Sequence, residues 1–114
     1  MKVVWTNKID EILRIGHSLQ KIGVNNWALK RNDALKALVE FEELQVAILG
    51  GDVCEQIGDV ISYNYDNWYC NRLDIESKSD FVKRSIIKAR EYIQNYQGKE
   101  PNKIFFAFIP ETSG

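Results

Sequence analysis

Gln45-Val46-Ala47-Ile48-Leu49-Gly50-Gly51 decides how this chain is read. A short unbroken apolar run, with turn formers at its end, fits a strand buried on both faces. A half-exposed strand would alternate with polar residues, and this one does not. The paired glycines are expected to end the run. Glycine adopts backbone conformations closed to other residues, so Asp52 to Glu55 are able to continue the strand past a bend. Residues 56–64, with Gly58-Asp59, then read as a loop. Asn67 to Arg72 reads as a second strand, with Trp68 and Cys70 on one face and Asn67, Tyr69 and Asn71 on the other.

Helices surround these strands. Upstream, Asn32 or Asp33 caps a helix whose apolar positions are Ala34, Leu35, Ala37, Leu38, Phe41 and Leu44. Further upstream, Ile9, Ile12, Leu13, Gly16, Leu19 and Ile22 recur at helical spacing, which predicts a helix from Asn7 to about Ile22, stopped by Gly23. The stretch Val24-Asn25-Asn26 is a connector, after which Trp27 and Leu29 return to the core. Downstream, Ser77 or Ser79 caps a third helix that runs to about Tyr96, with Asp80 at its positive end. Its inner face carries Phe81, Val82, Ser85, Ile86, Ala89, Tyr92, Ile93 and Tyr96. Lys103 to Ile109 is a last buried strand. The order helix-helix-strand-strand-helix-strand predicts an α+β fold, a three- to four-stranded sheet packed against three helices. A parallel crossover made by the third helix should be right-handed.

The 114 residues suit one domain spanning 1–114, and their apolar and charged shares are ordinary for a globular protein. No apolar run reaches the roughly 18 residues that span a bilayer. Met1 to Trp5 offers no apolar stretch of secretory type, so cytoplasmic residence is expected. Cys54 and Cys70 are then expected as free, buried thiols. Zinc is not expected, because no Cys-x-x-Cys spacing exists and His17 is the one histidine.

Charge is segregated along the chain. Between Glu40 and Glu76 nine carboxylates face one basic residue, Arg72, a net of −8, while the flanks carry +4 and +3. The same segment holds Tyr63-Asn64-Tyr65-Asp66-Asn67-Trp68-Tyr69. Carboxylates beside aromatics steer and then hold a basic protein partner. A solvated acidic face is the plainer reading, and Trp68, alternating with Asp66 and Cys70, reads as core. The candidate binding residues are Asp52, Glu55, Asp59, Tyr63, Tyr65, Asp66, Asn67, Arg72, Asp74 and Glu76. His17 reads as a surface residue, and no nucleophile motif or phosphate-binding loop is present. No catalytic residue, metal or cofactor is therefore expected, nor a nucleic-acid or membrane partner. The runner-up is a small acidic metal-dependent hydrolase or ligand-binding domain using carboxylates near Asp52 and Asp66.

Ala47-Ile48-Leu49-Gly50-Gly51-Asp52-Val53, followed by Tyr65-Asp66-Asn67-Trp68-Tyr69-Cys70, resembles the family known as immunity protein 40. Trp27-Ala28-Leu29, Asp33 to Leu38, Arg84-Ser85, Lys88-Ala89 and Tyr92-Ile93 extend the similarity to about residues 24–109. Cys54 departs from the larger, aromatic-type residue expected there. The resemblance implies a bacterial, non-enzymatic inhibitor of a toxin encoded beside it, with that toxin as partner.

Overall fold

The computed structural model describes residues 7–111, so the reading of Met1 to Trp5 lies outside the described residues. The fold is α+β. Helix α1 spans Asn7–Leu13, and a ribbon of two short antiparallel strands follows, β1 (His17–Ser18) and β2 (Trp27–Ala28). Then come α2 (Arg31–Glu43), β3 (Ile48–Ile57), β4 (Val60–Tyr69), α3 (Lys78–Asn95) and β5 (Ile104–Pro110). The main sheet has the order β4-β3-β5, with both neighbours antiparallel to β3. β4 and β5 therefore run in the same direction, and α3 is the crossover between them. Leu29 and Phe106 exchange two backbone hydrogen bonds of 2.8 Å, which ties the ribbon to the outer edge of β5.

The sheet is buried on two sides, and this splits the predicted first helix. Ile9, Ile12 and Leu13 join the larger core, under the helices, while Leu19 packs on the opposite face with Ala28, Cys54, Phe105 and Ala107. One helix cannot serve both faces, so α1 stops at Leu13 rather than Ile22. A Cβ on Gly16 would stand 2.6 Å from the Ala28 carbonyl oxygen, so glycine lets the chain turn tightly onto β2. Gly23, at φ 78°, closes the 3-10 turn Gln20–Ile22.

The glycines at 50 and 51 do not end β3. The strand runs ten residues straight through them. Their use is close approach. A Cβ on Gly51 would overlap the Trp68 ring, and one on Gly50 would overlap the Trp68 carbonyl. The predicted loop over 56–64 is a hairpin instead: Ile57 pairs with Val60 across Gly58-Asp59, and Gly58 takes φ 63°. β4 thus begins at Val60 and ends at Tyr69, so the predicted strand Asn67 to Arg72 covers only its last three residues. The predicted alternation holds nonetheless: Trp68 and Cys70 are buried, and Asn67, Tyr69 and Asn71 are exposed.

Under the helices, Trp68 stacks on Tyr92 at 4.9 Å and meets Phe108 edge-on at 6.1 Å, while Phe108 also meets Phe41. A register shift between Ile48 and Gly50 takes the Ile48 N–H out of the ladder, and Ser85 Oγ accepts it at 3.0 Å. Ser85 in turn donates to the Val82 carbonyl at 2.9 Å, so this buried hydroxyl is satisfied on both counts. α3 begins as expected, with Ser77 Oγ accepting the Asp80 N–H. α2 is capped by Lys30 without a side-chain bond, two or three residues before the expected Asn32 or Asp33. Its Arg31 donates to the carbonyls of Ile93 (2.6 Å) and Tyr96 (2.9 Å) at the end of α3. Both cysteines are free and buried, Cys54 on one side of the sheet and Cys70 on the other.

Candidate functional site

No strand pairs the outer edge of β4 among the described residues, and on the sheet face away from the helices the ribbon cluster covers β5 and Cys54, with Ile61 and Tyr63 of β4 half-buried against it. Register places Asn67 opposite Asp52 and Tyr63 opposite Cys54, so all four share that face. Asp52 is half-buried, and among the described residues no hydrogen bond or ion pair reaches its carboxylate. Burial pushes its pKa up. Burial also drives the Cys54 thiol to about 12, with the Asp52 charge adding to the effect. Tyr63 is raised for the same reasons. An uncompensated carboxylate beneath a tyrosine is favourable for a cation arriving from outside and unfavourable for the chain alone.

Next to this face β4 bulges. Between the pairs Asp52–Asn67 and Cys54–Tyr63, Val53 alone opposes Asn64, Tyr65 and Asp66. Tyr65 sits at φ 75° and is 87% exposed. A non-glycine residue there is uncommon and needs outside support. The support comes from α3: the Tyr96 hydroxyl donates to Asp66 Oδ2 at 2.6 Å and accepts from Asn64 Nδ2 at 2.9 Å. Asn64 Oδ1 accepts the Asp66 N–H, which closes the bulge on itself.

Beyond β4 the chain turns through residues 71–76. Arg84 grips Glu76 through two nitrogens, at 2.7 and 2.8 Å, and also donates to the Asn71 carbonyl at 2.6 Å. Glu76 Oε1 accepts the Leu73 N–H, and Arg72 donates to the Glu76 carbonyl. The Arg84 guanidinium, with hydrogen bonding as the chief cause, holds the Glu76 carboxyl down to about 2. Glu76 is thus engaged within the chain, with a side chain 9% exposed, while Asp74 points to solvent.

The remaining candidates are scattered. Asp59 is exposed at the hairpin tip, and Glu55 pairs with Ile104 on the helix side, beside a cavity of about 270 Å³ that Lys99 and Lys103 also line. Glu40, Glu42 and Glu43 lie at the end of α2, where Glu42 approaches Arg90 at 4.0 Å. The −8 segment is therefore not one surface. Asp52, Tyr63, Tyr65, Asp66 and Asn67 are brought together along β4; Glu55, Asp59, Asp74 and Glu76 are not part of that group.

A stripe on α3 escaped the sequence reading. Arg84, Lys88, Tyr92 and Tyr96 repeat every fourth residue and reach, in order, the 71–76 turn, the Tyr69 ring (5.2 Å from Lys88 Nζ), Trp68 and the bulge. Their i, i+4 spacing was visible at the border between the two faces of the helix. What they touch was not.

The family model for immunity protein 40 matches residues 18–110. The chain belongs to the immunity protein 40 family. No curated protein and no solved structure matches it. Membership in immunity protein 40 implies an immunity role against a toxin, and the match contains the whole β4 edge while leaving α1 outside it. Among the described residues no three His, Cys, Asp or Glu side chains gather as metal ligands, and no helix is long and apolar enough to cross a membrane.

Proposed function

We propose that this chain neutralises its cognate toxin by direct, non-catalytic contact, using the acidic and aromatic edge built on β4 to cover a basic active cleft. The observation that carries the reading is Asp52, a half-buried carboxylate without a counter-ion among the described residues, in one neighbourhood with Tyr63, Asn67 and the displayed Tyr65. A folded chain that leaves a charge uncompensated on an open face forgoes stability there, and such local conflicts concentrate at working surfaces. A lysine or arginine from a basic cleft would complete the site. The exposed carboxylates of Asp59 and Asp66, the latter accepting the Tyr96 hydroxyl, would steer the approach. As an inhibitor acting in the cytoplasm, the chain would need no cofactor.

Neutralising Asp52, Asp59 and Asp66 together to asparagine keeps side-chain shape while removing charge. Stopped-flow association with the toxin encoded in the adjoining reading frame should slow by about tenfold or more at low salt and lose most of its salt dependence. Exposed charges are screened beyond about 8 Å at physiological ionic strength, so the difference should shrink there. Neutralising Lys83 and Arg90 on α3 should change little. If those α3 changes weaken binding and the acidic ones do not, the toxin reads the basic helix and this assignment fails.

A further inference from the structure

The turn after β4 combines two properties that rarely coincide. It exposes apolar side chains, Leu73 at 56% and Ile75 at 98%, and it is held in one shape. A single exposed isoleucine needs no explanation. A six-residue connection clamped from within is different. Arg84 holds its start through the Asn71 carbonyl and its end through both Glu76 oxygens, with a longer contact to Cys70 Sγ at 3.2 Å. Leu73 and Glu76 exchange further bonds across the turn: the Glu76 N–H donates to the Leu73 carbonyl at 3.0 Å, and the Leu73 N–H donates to Glu76 Oε1 at 3.1 Å. Connections of this kind are ordinarily mobile, and a partner must then immobilise them at an entropic cost. Here the bonds at Asn71, Leu73 and Glu76 shape the turn within the chain itself, before any partner arrives.

Between the two apolar side chains stands exposed Asp74, so the tip reads apolar, acidic, apolar. Its complement is an apolar pocket with a basic rim. The turn also continues the edge described above. Arg84, which clamps it, lies in α3, and Tyr96, which clamps the bulge, caps the end of that helix twelve residues on, or about 18 Å at 1.5 Å per residue.

We infer that the 71–76 turn is a second, preorganised anchor for the toxin, inserting Ile75, with Leu73 beside it, into an apolar pocket rimmed by basic residues. The inference rests on the toxin-binding reading and adds to it a contact driven by apolar burial rather than by charge. Glu76 and Arg84 are positioning residues that hold the anchor and do not touch the toxin.

The test is binding of the full chain to the toxin encoded in the adjoining reading frame. Because Ile75 is almost wholly exposed, Ile75→Ala and Ile75→Asp leave folding intact, which circular dichroism checks. Ile75→Ala should weaken binding by about tenfold to a hundredfold, chiefly through faster dissociation, and Ile75→Asp by more. High salt should not abolish the Ile75→Ala loss. Glu76→Gln should accelerate hydrogen exchange at the Leu73 amide, and in that background Ile75→Ala should cost markedly less, because a loosened turn no longer presents the side chain. Strictly additive effects would reduce the clamp to a structural role and overturn it as a positioning device. Binding of Ile75→Asp at wild-type strength, with the acidic substitutions still slowing association, overturns the anchor alone. A wild-type chain that fails to bind the toxin overturns the toxin-binding reading itself, and the anchor with it.

Discussion

The two faces of the β3–β4 hairpin are built from the same alternating strands and are used in opposite ways. On the helix side, Trp68 lies over Gly51, stacks on Tyr92 and meets Phe108. On the other side, one residue along each strand, Asp52 and Asn67 face outward beside Tyr63, with cover from the ribbon cluster at Cys54, Phe105 and Ala107. A step of one residue thus separates a packed core from an open polar face, because side chains in a strand alternate. The lesson is that the helix side carries stability while the open side is free to give some of it up.

The largest test of that contrast is Trp68→Ala. Loss of a buried indole should destabilise the fold by about 3–5 kcal/mol, read from the urea midpoint. An unchanged midpoint with lost toxin binding would move Trp68 to the interface and erase the division between the faces.

A smaller effect is expected where the open face becomes core. Cys54→Ser puts a hydroxyl into an apolar cluster and should cost about 1–3 kcal/mol. The Cys54 thiol, pushed to about 12, should resist labelling in the native state at pH 8, whereas denatured protein should titrate two thiols. Rapid native labelling of Cys54 would mean that the ribbon does not seal this part of the sheet.

The smallest effects are in pH dependence, and they have opposite signs. Burial raises Asp52 above its ordinary 3.8, so the folded chain holds that proton more tightly than the unfolded one. Its contribution to stability is present below 3.8 and is lost as pH rises through the raised value. Asp52→Asn should therefore raise stability at pH 7 and make little difference in acid. Glu76, held down to about 2 from 4.5, contributes above 4.5 and loses that contribution as pH falls toward 2. Glu76→Gln should lower stability at pH 7, with the deficit shrinking in acid. Denaturation of both variants between pH 3 and 8 checks the two signs. Matching signs would mean that Asp52 has a counter-ion in solution and that the open face is not electrostatically uncompensated.

Several elements were legible without coordinates. Helix α3 was, because its cap, its apolar face and the glycine and proline beyond it all agree. The doubly buried character of β5 was too, since Ile104, Phe106 and Phe108 enter one core while Phe105 and Ala107 enter the other. The start of β4 was not. Val60 to Tyr65 mixes polar and apolar residues on an edge strand that is exposed for much of its length, so no period stands out. Of the candidate residues, Tyr63, Tyr65, Asp66 and Asn67 lie together on β4, as their closeness in sequence requires. Asp52 joined them only through strand pairing. The exposure of Tyr69, Leu73 and Ile75 was not legible, because an exposed apolar side chain leaves no local mark in the sequence.

By itself the sequence determined which residues are apolar, at what spacing, and hence the α+β class, the buried strands and the charge segregation. Tertiary structure alone decided which side of the sheet receives each apolar residue. Ile9 and Leu19 belong to one helical pattern and end in different cores, and that choice cut the first helix short. It also decided which carboxylates are engaged. Glu76 and Asp52 are alike in the sequence, yet one meets Arg84 and the other meets no cation among the described residues. The physical reason is range. Periodicity and capping act within a few residues, whereas the contacts that shape this surface join Asn64 to Tyr96 and Asn71 to Arg84, and only folding brings those together.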